Sequence, residues 1–109
     1  GVSVIMSRTE GLSVDEMKEI SDELVGNAAE KTLVLLATGG DKAGFVLKLT
    51  GDLVKKGLHA GKLIKDIAKV AGGSGGGRPD MATAGGKDVE KIDAALVEAE
   101  KLVSQALAG

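Results

Sequence analysis

Few residues in this chain are equipped for chemistry: one histidine, His59; five glycines in the six positions 72–77; the arginine that follows them, Arg78; and lysines on either side. The common catalytic constellations lack their parts. With no Cys among 109 residues there is no disulfide and no thiolate zinc site, and one His cannot build a His-rich metal centre. A Ser-His-Asp triad would have to use His59, and nothing around it resembles a nucleophile elbow. The chemistry these residues do fit is the holding of an anion. Lysine and arginine supply charge and donors. Glycines without Cβ atoms let a phosphate, sugar or base come close to the backbone.

Charge is distributed to match. Residues 1–41 carry three basic and eight acidic groups, residues 42–78 eight and two, and residues 79–109 three and six. A strongly basic middle segment inside a chain of net charge −2 points either to an anionic partner or to ordinary solvated lysines. The phosphate-contact candidates are Lys55, Lys56, Lys62, Lys65, Lys69 and Arg78, with Gly75, Gly76 and Gly77 permitting close approach. Arg78 either binds phosphate in a bidentate fork or stacks on a base, or it ties down carbonyls of its own loop. His59 is a contact candidate too, although its simpler role is to hydrogen-bond backbone at a helix start. Met81 reads as core. The only aromatic is Phe45, which disfavours gripping single strands by base stacking.

The elements that must position these residues follow from periodicity. Val2, Val4 and Met6 alternate with Ser3, Ile5 and Ser7, giving a strand over 2–8. Ser13 and Glu16 form an S-x-x-E capping box, with Leu12 and Met17 as its hydrophobic staple. Met17, Ile20, Leu24 and Ala28 continue a helix over about 14–29, whose outer face (Asp15, Lys18, Glu19, Asp22, Glu23) reads as solvated and without function. Residues 32–38 are nearly all apolar, as in a sheet interior. A turn at Gly39-Gly40-Asp41-Lys42 returns the chain as a strand over 44–50, with Phe45, Leu47 and Leu49 on one face and Val46 and Lys48 on the other. Strand, helix, strand implies a right-handed crossover with parallel strands.

After a polar connection over 51–58, Leu63, Ile64, Ile67, Ala68 and Ala71 form the buried stripe of a helix over about 60–71, which Gly72 ends. Lys62, Lys65 and Lys69 fall at i, i+3 and i+7 on its opposite face. A short strand at 80–84 and a helix over 89–107 N-capped by Asp88 complete a β-α-β-β-α-β-α order. The expected fold is one α/β (α+β) domain over 1–109, a mixed sheet with helices packed on it. The glycine run could be a flexible linker. Only one amphipathic helix follows it, however, and that helix must fold back on the same sheet. The glycines therefore read as a shaped loop inside one domain. No run of about 18 apolar residues predicts a membrane span, and residues 1–10 have no basic leader.

Neither a P-loop nor a dinucleotide fingerprint is present: Arg78-Pro79 stands where Lys-Ser would follow, and the glycines come after a helix. Gly72-Gly73-Ser74-Gly75-Gly76-Gly77-Arg78-Pro79-Asp80-Met81-Ala82 instead resembles the G-G-x-G-G-G-R-P-x-M-A signature of DHHA1 domains, in the form that closes alanine–tRNA ligases. His59-Ala60-Gly61 is similar to the H-A-G segment that precedes it there, and the upstream element order is also similar. The other branch of the family, in DHH-type phosphoesterases, has a G-G-G-H segment where this chain has Arg78 and Pro79.

The resemblance implies a non-catalytic, cytoplasmic domain. It would bind the tRNA elbow and support charging and editing by catalytic and editing domains elsewhere in the ligase. That parent enzyme would use ATP, magnesium and zinc at sites outside this fragment, and in its full length could form a homodimer. The alternatives are the substrate-binding domain of a phosphoesterase, a general nucleic-acid binder that also takes DNA, and a self-association module using the last helix.

Overall fold

The computed structural model describes residues 2–27 and 30–108. Strand β1 (Ser3–Glu10) lies parallel to β2 (Thr32–Gly39), with Ser3 opposite Thr32. Between them runs α1 (Val14–Asn27), and the last two residues of the expected helix lie outside the described ones. Its start is the expected capping box. Glu16 N–H donates to Ser13 Oγ at 3.1 Å, and Ser13 N–H donates to Glu16 Oε1 at 3.0 Å. Strand β3 (Ala43–Leu49) returns antiparallel to β2, with Leu35 opposite Leu47.

The 51–58 connection is more structured than expected. Gly51–Lys55 form a five-residue helix, α2, before α3 (Ala60–Val70). A larger correction concerns the glycines. Residues 74–77 are not a loop but a strand, β4 (Ser74–Gly77), antiparallel to β5 (Met81–Gly86). The sheet order is β1-β2-β3-β5-β4, which puts the glycine strand on an edge. Asp88 does not cap the last helix. Its side chain makes no capping bond, and a 3-10 turn, Val89–Lys91, leads into α4 (Ile92–Ala108).

Alternation along β2 and β3 makes two apolar layers. Leu33, Leu35, Phe45, Leu47 and Leu49 face α3 and α4, joining Ile64, Ile67, Ile92, Ala95, Ala99 and Val103 in the main core. Val34, Leu36 and Val46 face α1 and pack on Met17, with Leu12 beside them. Burying a Leu, Ile or Phe contributes roughly 1.5–3 kcal/mol each, so the first layer holds the domain together. α1 packs over β2 and β3 and stops short of β5 and β4. On that side Met81 and Thr83 are only half-buried. Met81 is thus outside both apolar clusters, contrary to its expected core role.

Candidate nucleic-acid interface around the glycine edge

The glycine strand is held at both ends by backbone hydrogen bonds. α3 stops in a Schellman motif: Gly72 has φ +68°, its N–H donates to Lys69 O at 3.1 Å, and Gly73 N–H donates to Ala68 O at 2.9 Å. At the other end the Arg78-Pro79-Asp80 turn is fastened to two neighbours. Ala60 N–H at the start of α3 donates to Pro79 O, and Leu49 N–H at the end of β3 donates to Asp80 O, each at 2.8 Å. Backbone amides, not the Arg78 guanidinium, therefore hold the turn's carbonyls. That guanidinium is 69% exposed, with Asp80 Oδ1 3.6 Å away.

Close packing explains why most of these positions are glycine. A Cβ on Gly75 would lie 2.3 Å from Ala84 Cβ and 2.4 Å from Thr83 O; one on Gly77 would lie 2.6 Å from Met81 O. A Cβ on Gly61 in α3 would lie 2.7 Å from Gly77 O, so the helix seats directly against the strand. Gly76 differs. Its Cβ would meet only Lys65 Cε, at an ordinary 3.6 Å. Packing does not demand a glycine at 76, which leaves open an external reason.

The structure brings most of the candidate residues together. Lys62, Lys65 and Lys69 line a groove of about 420 Å³ with Gly73, Ser74 and Gly75. Asp66 is the acidic member, 3.9 Å from Lys69 Nζ; among the described residues no carboxylate lies within 4.0 Å of Lys62 or Lys65. Gly76, Gly77 and Arg78 line a smaller cleft on the opposite side of the strand. Lys18, read as a solvated residue in the sequence, lines that cleft too. α1 lies over β2 and β3, and Lys18 reaches from it toward the glycine edge. Lys42 and Lys87 line a third cleft at the strand's start, also unanticipated.

Three candidates line none of these clefts, although His59 Cε1 lies beside Gly61 where α3 meets Gly77 O. His59 caps α3: its Nδ1 accepts from Lys62 N–H at 3.2 Å, satisfying one of the helix's free donors. It lines none of the clefts around β4. Lys56 lies in a separate groove with Val2, Leu58, Ala106 and Leu107, and neither Lys55 nor Lys56 lines the clefts at the glycine edge.

Among the described residues no three His, Cys, Asp or Glu side chains gather where they could hold a metal ion. Charge, glycine backbone and open clefts suit an extended polyanion.

The sequence profile of the DHHA1 domain matches residues 1–105. The chain belongs to the DHHA1 domain family. Over its whole length it is 48% identical to an alanine–tRNA ligase of Acetivibrio thermocellus. Over 98% of its length it is 43% identical to that of Bacillus subtilis. It spans 12% of either ligase. A solved structure, the C-Ala domain from Aquifex aeolicus alanyl-tRNA synthetase, superposes with a TM-score of 0.82 at 30% identity, covering 100% of this chain and 96% of that one. This DHHA1 domain is therefore of the C-Ala kind found in alanyl-tRNA synthetases, and the mixed five-stranded sheet with its helices is the C-Ala fold. No helix among the described residues is long and apolar enough to cross a membrane.

Proposed function

We propose that this DHHA1 domain binds tRNA, at the elbow where its two loops meet, through the glycine edge and the lysine groove of α3. In a full-length alanine–tRNA ligase of the cytoplasm it would support ATP-dependent attachment of alanine to tRNA(Ala) and editing of mischarged tRNA. Chemistry dependent on ATP, magnesium and zinc would belong to other domains. The observation that carries the reading is the lysine groove running along an edge strand that is nearly all glycine, Lys62, Lys65 and Lys69 on one side and Gly73, Ser74 and Gly75 on the other. Such a surface reads folded RNA by shape and phosphate position, with few aromatics needed.

Anisotropy titration of the chain with a tRNA(Ala) transcript at two salt concentrations tests it. The expected result is salt-dependent binding with little dependence on anticodon sequence. Arg78→Ala, and Lys62→Glu with Lys65→Glu, should weaken it, and each lost phosphate contact should lower the salt slope by about 0.7–0.9. Affinity untouched by those changes would put the binding surface elsewhere. Equal affinity for duplex DNA of the same length would make the domain a general nucleic-acid binder.

A further inference from the structure

The far side of the glycine strand poses a separate question. α1 leaves the surface of β5 and β4 open, and the cleft there, about 140 Å³, is lined by Lys18, Gly76, Gly77, Arg78 and residues 81–83 of β5. Both charged groups in that lining are positive, and it contains no carboxylate. Lys18 is held there by its position on α1. One turn further along the same helix, Asp22 Oδ1 is 2.6 Å from Lys48 Nζ on β3, so α1 uses a carboxylate on this flank to tie itself to the sheet. Among the described residues no carboxylate lies within 4.0 Å of Lys18 Nζ, although the side chain is half-buried. A cation that lines an open cleft without a counter-ion is a ready partner for an external anion.

The two faces meet at Gly76. It lines the Lys18 cleft, and the position its missing Cβ would take lies 3.6 Å from Lys65 Cε on the α3 side. Here the wall between two basic clefts is one strand of backbone with no side chain on it.

Taking the RNA-binding reading as given, we infer that the partner straddles this edge: Lys18 and Arg78 form a second phosphate-binding cleft on the α1 face, opposite the α3 lysines, and the RNA presents two backbone segments, one to each face. A single straight duplex would engage one face only. A folded junction, in which two strands run side by side with a gap between them, would engage both. Lys18 thereby becomes a contact residue, and Asp22 with Lys48 positions it by fixing α1 on the sheet.

The test measures tRNA(Ala) binding by the whole 109-residue chain, with thermal unfolding of every variant as control. Lys18→Gln, which keeps much of the aliphatic stem, should weaken binding about three- to ten-fold and lower the salt slope by about 0.7–0.9. Lys18→Arg should restore both. The loss should multiply with that of Lys62→Glu/Lys65→Glu, because the two clefts lie on opposite faces. If the α3 changes weaken binding while Lys18→Gln leaves affinity and slope alone, the second cleft is wrong and the RNA reading stands. If Lys18→Arg loses as much as Lys18→Gln, packing rather than charge is responsible, and the inference falls. If the unaltered chain shows no salt-dependent tRNA binding, both readings fall together.

Discussion

A single strand contains two kinds of glycine, and substitution separates them. At Gly75 an added methyl runs into Ala84 Cβ and Thr83 O. Gly75→Ala should therefore cost about 1–3 kcal/mol or more as an overpacked contact, read as a fall in Tm. At Gly76 the same methyl finds ordinary contact with Lys65. Gly76→Ala should leave Tm nearly unchanged and weaken tRNA binding, since it places a side chain where the RNA backbone must approach. His59 makes the converse case. Removing its bond to Lys62 N–H with His59→Ala should cost about 1 kcal/mol, as loss of a helix cap does, and leave tRNA affinity intact. Composition and spacing alone pick out Gly75, Gly76, Gly77 and the lysines of α3. They cannot separate packing glycines from an open one, nor show Lys18, because which residues face an open cleft depends on what lies beside them in the sheet.

At the scale of elements, local rules are legible where they are strong. The capping box of α1, the apolar run of β2 and the stripe of α3 all appear where periodicity puts them. β4 escapes because glycine has low strand propensity. Its strand forms by pairing with β5 and by the seat that Gly61 leaves for Gly77 O, both tertiary effects. α2 escapes for a similar reason: five residues carry too little pattern, and its start is fixed by a contact across the fold. Asp52 shares a hydrogen bond with Thr50, and its carboxylate accepts from Lys31 N–H at 3.0 and 3.1 Å. Lys31 has φ +54°, so this carboxylate stabilises a left-handed turn before β2. Those bonds, Thr50's first, hold the Asp52 pKa below its ordinary value. A depressed carboxylate contributes stability above the unfolded pKa, about 3.9, and loses it as pH falls through the folded value. Asp52→Asn should therefore flatten the acid limb of the stability curve below about pH 4, while the limb above about pH 5 keeps its shape. Chemical denaturation at about pH 3, 4 and 7 checks this.

For the whole molecule, the informative feature of the sequence is its uneven charge. The fold converts the basic middle segment into a surface by placing α3 and β4 side by side at one end of the sheet. Chain order alone does not reveal that placement: β4 is inserted outside β5, so a segment central in sequence becomes an edge in space. Lys55 and Lys56, equally basic and only a few residues upstream, belong to α2 and the turn after it and line none of the clefts at the edge. A radius of gyration of 12.4 Å, against roughly 13 Å for a compact domain of about 100 residues, leaves no place for the glycines as a tether between two bodies.

Amide chemical-shift mapping of the chain during titration with tRNA(Ala) tests the central claim most directly. The account predicts that the largest changes fall on Ser74 to Arg78, on Lys62, Lys65 and Lys69, and on Lys18 across the edge. Changes gathered instead around Lys56, Leu58 and the end of α4, with the glycine strand silent, would contradict it.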